Sequence, residues 1–163
     1  MRLNHGTRNG QALIEALVAM GILTVGFMGI MELLSRSLSL NRVVAQQYIG
    51  SYLAAEGIEV VKNMVDTNVI NGRIWNSGLD VGTYEVEYGS GALEANSSRN
   101  FSLDPVTGIY DYSGTANTTF KRRVEISYPN TDEMRVNSIT DWITRGGGTF
   151  SVNTEDHFFN WRP

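Results

Sequence analysis

The chain has 163 residues, a formal charge of −4 and no cysteine. That length holds one modest domain plus an appendage, and the acidic balance leaves no general nucleic-acid footprint. Disulfides, thiolate metal sites and Cys nucleophiles are excluded, so an exported domain would be held by packing alone. Composition breaks once. Gln11 to Val65 contains no proline and reads as helix, whereas from Asp66 onward Gly, Asn, Thr, Ser and aromatic residues take over.

Arg2, His5 and Arg8 lead into "NGQALIEALVAMGIL", and from Ala16 to Met31 the chain carries no charge. As a helix that run measures about 24 Å, and with its flanks it approaches bilayer thickness. A secretory signal peptide would need small residues at a cleavage site after the apolar run. Here the run flows instead into "ELLSRSLSLNRVVAQQY", which continues the helix. A plain signal anchor accounts for Arg2 and Arg8 through the positive-inside rule. Neither reading accounts for Glu15 at the mouth of the run, where an unpaired charge in hydrocarbon costs about 3 kcal/mol or more.

The stretch from the basic residues through Gly10, Gln11 and Glu15 into the apolar run resembles the class III leader of type IV pilins and type II secretion pseudopilins. The resemblance implies a leader of residues 1–10, cut by a prepilin peptidase between Gly10 and Gln11, and N-methylation of Gln11. Glu15 becomes the fifth mature residue, with Leu13, Ile14 and Leu17 at the family's apolar positions. Gln11 departs from the family, which usually places Phe there. The resemblance further implies a single-pass precursor in the cytoplasmic membrane with its head exported. Such a precursor is then assembled by a membrane platform with other pilin or pseudopilin subunits into a surface pilus or periplasmic pseudopilus. In the family's account the Glu15 carboxylate meets the free α-amine of a neighbouring subunit. The physics agrees: the new amine would lie about 6 Å along the helix from Glu15, and pairing strengthens in low dielectric while an unpaired charge stays costly. The alternative is an unprocessed, single-pass membrane-anchored extracellular binding domain.

Residues 11–34 are expected as the transmembrane or filament-core part, and 35–65 as an amphipathic continuation, about 80 Å in all. Ala45, Ile49, Leu53, Gly57, Val60 and Met64 recur every three to four residues, with Tyr48 and Tyr52 beside them. That face suits packing on a sheet, while Arg42, Gln46, Glu56, Glu59 and Lys62 are expected on solvated faces. Gly21, Gly26 and Gly29 each lower helix propensity by about 1 kcal/mol, and they leave room for close helix contact.

The head, residues 66–163, reads as four to six antiparallel strands with one solvated face. "TYEVEY" (83–88) alternates with Glu85 and Glu87 on its polar side. "FSLDPVTGIYDY" (101–112) reads as a hairpin turning at Asp104–Gly108. "TFKRRVEISY" (119–128) sets Phe120, Val124, Ile126 and Tyr128 against Lys121, Arg123 and Glu125. "MRVNSITDWI" (134–143), a turn at Arg145–Gly148 and "TFSVNT" (149–154) follow, with an aromatic tail "HFFNW". The fold expected is therefore α+β, a long N-terminal helix on a small antiparallel sheet. The strand order and tail resemble a pseudopilin I-like or minor pilin-like head.

Candidate chemistry in the head is thin. Glu56 and Glu59 lie one turn apart without a nearby His, and read as a solvated helix face. His157 with Glu155 and Asp156 is a poor metal set, because adjacent residues rarely converge on one ion. Asp104 and Asp111 lack the ordered acidic spacing of a calcium loop. "RGGGTF" lacks the Lys of a phosphate loop, and Lys121 to Arg123 beside Phe120 reads as a solvated strand face rather than a DNA contact. No hydrolase signature occurs. No catalytic residue, metal or cofactor is assigned, and a structural subunit is expected rather than an enzyme.

Overall fold

The computed structural model describes residues 6–144 and 146–160. It divides into two units, Met1–Val44 and Ala45–Pro163. One α-helix, α1 (Gly6–Ile70), is followed by eight strands: β1 (Gly82–Glu85), β2 (Glu94–Ala95), β3 (Ser102–Leu103), β4 (Tyr110–Asp111), β5 (Ala116–Asn117), β6 (Lys121–Asn130), β7 (Glu133–Ile143) and β8 (Thr149–Phe159). Five strands form an antiparallel sheet in the order β2-β1-β6-β7-β8, and three form a small sheet in the order β4-β3-β5. The architecture is α+β, a long helix packed on an antiparallel sheet.

The helix starts inside the expected leader and ends five residues beyond Val65. Its end is chemical. Gly72 adopts φ 68 and donates to the Val69 carbonyl at 3.1 Å, while Arg73 donates to the Asn68 carbonyl at 2.8 Å. Those two bonds satisfy the last-turn carbonyls in a Schellman arrangement, which needs a residue tolerant of positive φ. Buried Asn68 then holds the following loop, donating from Nδ2 to the Trp75 and Ser77 carbonyls at 3.3 and 2.8 Å.

Within the second unit, Leu53, Ala54, Ile58, Val60, Val61 and Met64 are buried against the sheet. The expected stripe is shifted slightly: Ala45 is exposed, and Gly50 is buried instead. A side chain at Gly50 would collide with the Trp142 ring, and one at Gly57 with Ser138 and Arg122. These glycines let the helix lie directly on β7. On the sheet, Val124 and Ile126 of β6 and Met134 and Val136 of β7 meet Ile58, Val61 and Met64 in one cluster. Leu53, Phe101, Phe120 and Trp142 make a second. Trp142 lies 5.6 Å from Phe120 and 5.8 Å from Phe150 between ring centroids.

The β6–β7 hairpin extends past Tyr128 through Pro129, where the register shifts between Ser127 and Asn130. Proline has no N–H to give the ladder, so the shift falls there. Thr144 donates to the Gly148 carbonyl at 2.9 Å to close the β7–β8 turn; Arg145 lies outside the described residues. β8 runs on to Phe159, five residues beyond the expected "TFSVNT".

Candidate functional site

From Gly6 onward the segment that carries the leader motif is helix. Arg2 and His5 lie outside the described residues, as does the Arg8 side chain. From Gly10 to Arg42 every residue is exposed, Gln11 and Glu15 among them. Leu13, Ile14, Leu17, Ile22, Leu23 and Val25 are each more than half exposed. A helix this long and apolar is compatible with crossing a membrane. The Thr24 hydroxyl donates to the Met20 carbonyl at 2.8 Å, which hides one polar group of the run inside its own backbone. Among the described residues, the first ion pair along the helix is Glu32 with Arg36, at 2.5 Å and one turn apart. Nothing among the described residues comes within 4 Å of a Cβ placed at Gly21, Gly26 or Gly29, so their open side remains free for another helix.

The head holds two charges that sequence reasoning put elsewhere or passed over. Glu85, expected on a polar face, is fully buried. The strand it belongs to stops there, because the chain turns at Glu87, whose N–H donates to Ser90 Oγ at 2.9 Å. Glu85 then accepts four hydrogen bonds: from Ser97 N and Oγ at 3.0 and 3.2 Å, and from Arg99 N and Nε at 2.9 and 2.7 Å. Burial pushes its carboxyl up, but the Arg99 guanidinium and the Arg99 and Ser97 amides outweigh that and hold it below the usual glutamate range.

Arg122 falls on the buried face of β6 and is also sequestered. Its Nη1 donates to the Leu53 carbonyl at 2.7 Å and to Glu56 Oε1 at 3.0 Å, and its Nη2 to the Val86 carbonyl at 2.6 Å. Glu56, expected on a solvated face, is therefore the counter-charge of the core, whereas Glu59 pairs with Lys62 at 3.5 Å in the open. The two arginines bracket an aromatic stack. Arg99 sits 4.1 Å from the Tyr112 ring centroid, Tyr112 stacks on Phe101 at 4.8 Å, and Arg122 lies 4.9 Å from Phe101. Cation–π contact on each outer ring gives both guanidiniums a partner besides their carboxylates.

The other head candidates are absorbed by local structure. Asp104 accepts from Val106 N and Thr107 Oγ1, both at 2.8 Å, and those two bonds hold its carboxyl below the usual range. Asp111 Oδ1 accepts from Ser113 N and Gly114 N. Asp104 thus caps the turn of the expected 101–112 hairpin, and Asp111 the turn that leaves it after β4. His157 is on β8 rather than in a loop; its Nδ1 faces Glu133 at 2.6 Å and its Nε2 faces Glu155 at 3.2 Å. Those carboxylates, Glu133 foremost, raise its pKa above the ordinary value. Among the described residues no group of three His, Asp or Glu is arranged to hold a metal ion. The basic run on β6 is likewise not a stripe: Phe120 and Arg122 are buried, and Arg123 is paired with Glu125 and Asp141.

Comparison with known proteins yields no matching family model, no similar curated protein and no similar solved structure.

Proposed function

We propose that this chain is a structural subunit of a type IV pilus or of a type II secretion-like pseudopilus, with no catalytic role. A prepilin peptidase cuts the single-pass precursor between Gly10 and Gln11, the new N-terminus at Gln11 is methylated, and a membrane assembly platform moves the subunit into a helical filament. The hydrophobic part of α1 then packs against its counterparts in neighbouring subunits, and Glu15 sets the axial register by meeting a neighbour's free amine. The precursor resides in the cytoplasmic membrane with its head exported, and the product is a surface pilus or periplasmic pseudopilus.

The observation that carries this reading is Glu15 itself. A carboxylate five residues after Gly10 stands in an apolar stretch of helix whose residues are all exposed from Gly10 to Arg42. Burying that surface, in lipid or against other helices, strands the charge unless a cation arrives with the partner. Mass spectrometry of the mature protein is the direct test. The expected N-terminus is Gln11, heavier by one methyl group; an intact Met1 would instead favour the unprocessed membrane-anchored binding domain. Glu15→Ala is expected to leave the protein membrane-bound and to deplete it from sheared fibres, and unchanged incorporation would refute the register role.

A further inference from the structure

Four tyrosines meet at one cleft of the head. Tyr48 and Tyr52 come from the helix, Tyr88 follows β1 and Tyr110 belongs to β4. With Ile109 and Glu56 they line a concavity of about 280 Å³. Tyr48, Tyr52 and Tyr88 are 65%, 65% and 67% exposed, so the core does not need them for its own packing. Tyr48 and Tyr52 sit 5.2 Å apart with their planes at 52°, forming a corner rather than a flat pair. Tyr110 is fixed from behind by an edge contact to Phe120 at 6.0 Å.

The electrostatics of this wall select the guest. An aromatic face is negative and attracts a cation placed within about 6 Å of its centroid. Among the described residues that line the cleft, Glu56 is the one charged side chain, and none is a Lys, Arg or His. Its Oε1 is engaged by Arg122, while among the described residues Oε2 takes no protein hydrogen bond. Arg122 is itself buried, with both terminal nitrogens occupied. An anion entering here would meet ring faces and a carboxylate. A neutral hydrocarbon would fill the space and leave the Glu56 oxygen unanswered. A positively charged nitrogen on a carbon skeleton answers both surfaces. We infer that the tyrosine cleft is a binding site for an organic ammonium group, and charge complementarity is what assigns that occupant.

The test uses the full-length protein in maltoside micelles, titrated with choline chloride and followed by tyrosine fluorescence. The comparison is 3,3-dimethylbutan-1-ol, which has the same shape without the charge. Choline is expected to bind at least about fivefold more tightly than the alcohol. Tyr52→Leu should abolish that preference and Tyr52→Phe should keep it, with the melting temperature of both variants unchanged because the side chain is exposed. A parallel titration with Nα-acetyl-lysine amide separates the two sources of such a cation. Tighter binding of the lysine derivative points to a partner protein's side chain, and tighter choline to a free quaternary ammonium. Equal binding of the alcohol and choline, no saturable binding of either cation, or an unaltered preference in Tyr52→Leu would each overturn the site.

Discussion

From Gly10 to Arg42, α1 exposes every side chain it has, apolar or not; from Ile49 to Asn68 the same helix buries a continuous stripe. Both stretches are rich in Leu, Ile and Val, so hydrophobicity alone does not distinguish them. What differs is the source of the covering surface. The later stretch is covered by β6 and β7 of its own chain and includes Gly50 and Gly57 where the sheet comes close. The earlier stretch has no such partner among the described residues of its own unit, and its glycines face open space. A helix that buries its apolar surface internally is paid in fold stability; one that leaves it open depends on lipid or on another molecule.

The comparison is easiest to break with charge. Glu85→Ala removes the acceptor of four hydrogen bonds from the buried half of a pair, and should destabilise the head by about 3 kcal/mol in urea unfolding. Glu85 also gives the head an acid limit. Its folded pKa is depressed, so its contribution is present above the unfolded glutamate pKa and is lost as pH falls through the lower folded one. The unfolding midpoint should therefore drop below about pH 4, and less steeply in Glu85→Gln.

A matched pair of truncations sharpens the contrast between the two stretches. Leu53 is 3% exposed and Leu23 is 71% exposed. Leu53→Ala should cost about 2 to 5 kcal/mol of head stability, whereas Leu23→Ala should leave head unfolding unmoved. If both shift the midpoint equally, the division into a self-covered and an open stretch fails. The smallest effect expected is at His157. Its pKa is raised by Glu133 and Glu155, so its contribution is complete below the unfolded histidine pKa and fades as pH rises through the folded one. Stability should decline slightly between about pH 6 and pH 8, and His157→Gln should flatten that slope.

Much of this architecture was legible in the chain. The alternation of Phe120, Val124 and Ile126 identified β6 and its buried face, and Asp104 to Gly108 identified a hairpin turn. What escaped has a common cause. Arg122 is a charge at a position whose parity points inward, whereas Glu85 has the outer parity, opposite Tyr84 and Val86, and is covered by Ser97 and Arg99; a charge is read as solvated unless its partner is known. The partners, Glu56 and Arg99, are distant in sequence or sit in loops. Composition changes at Val65, short of the true helix end at Ile70, and the stop signal is instead "NG" at Asn71–Gly72. Strands of two residues with no turn signal beside them, such as β2 and β5, are too short for any periodicity to register. Gly10, Gln11 and Glu15 are a different case: their proposed roles depend on a peptide cut and on a neighbouring subunit, and they were read from motif spacing.

The bond from Arg122 to the Leu53 carbonyl joins residues 69 positions apart. Its consequence is an order of events. As the polypeptide is synthesised, the apolar stripe of the helix is finished long before β6 and β7, the strands that cover it, have been made. Contacts of such separation are slow to close because loop entropy must be overcome first. The nascent chain thus passes through an interval in which both stretches of its helix are equally bare, and only the arrival of β6, bringing Arg122 to Glu56, divides them into a part that is covered and a part that stays exposed.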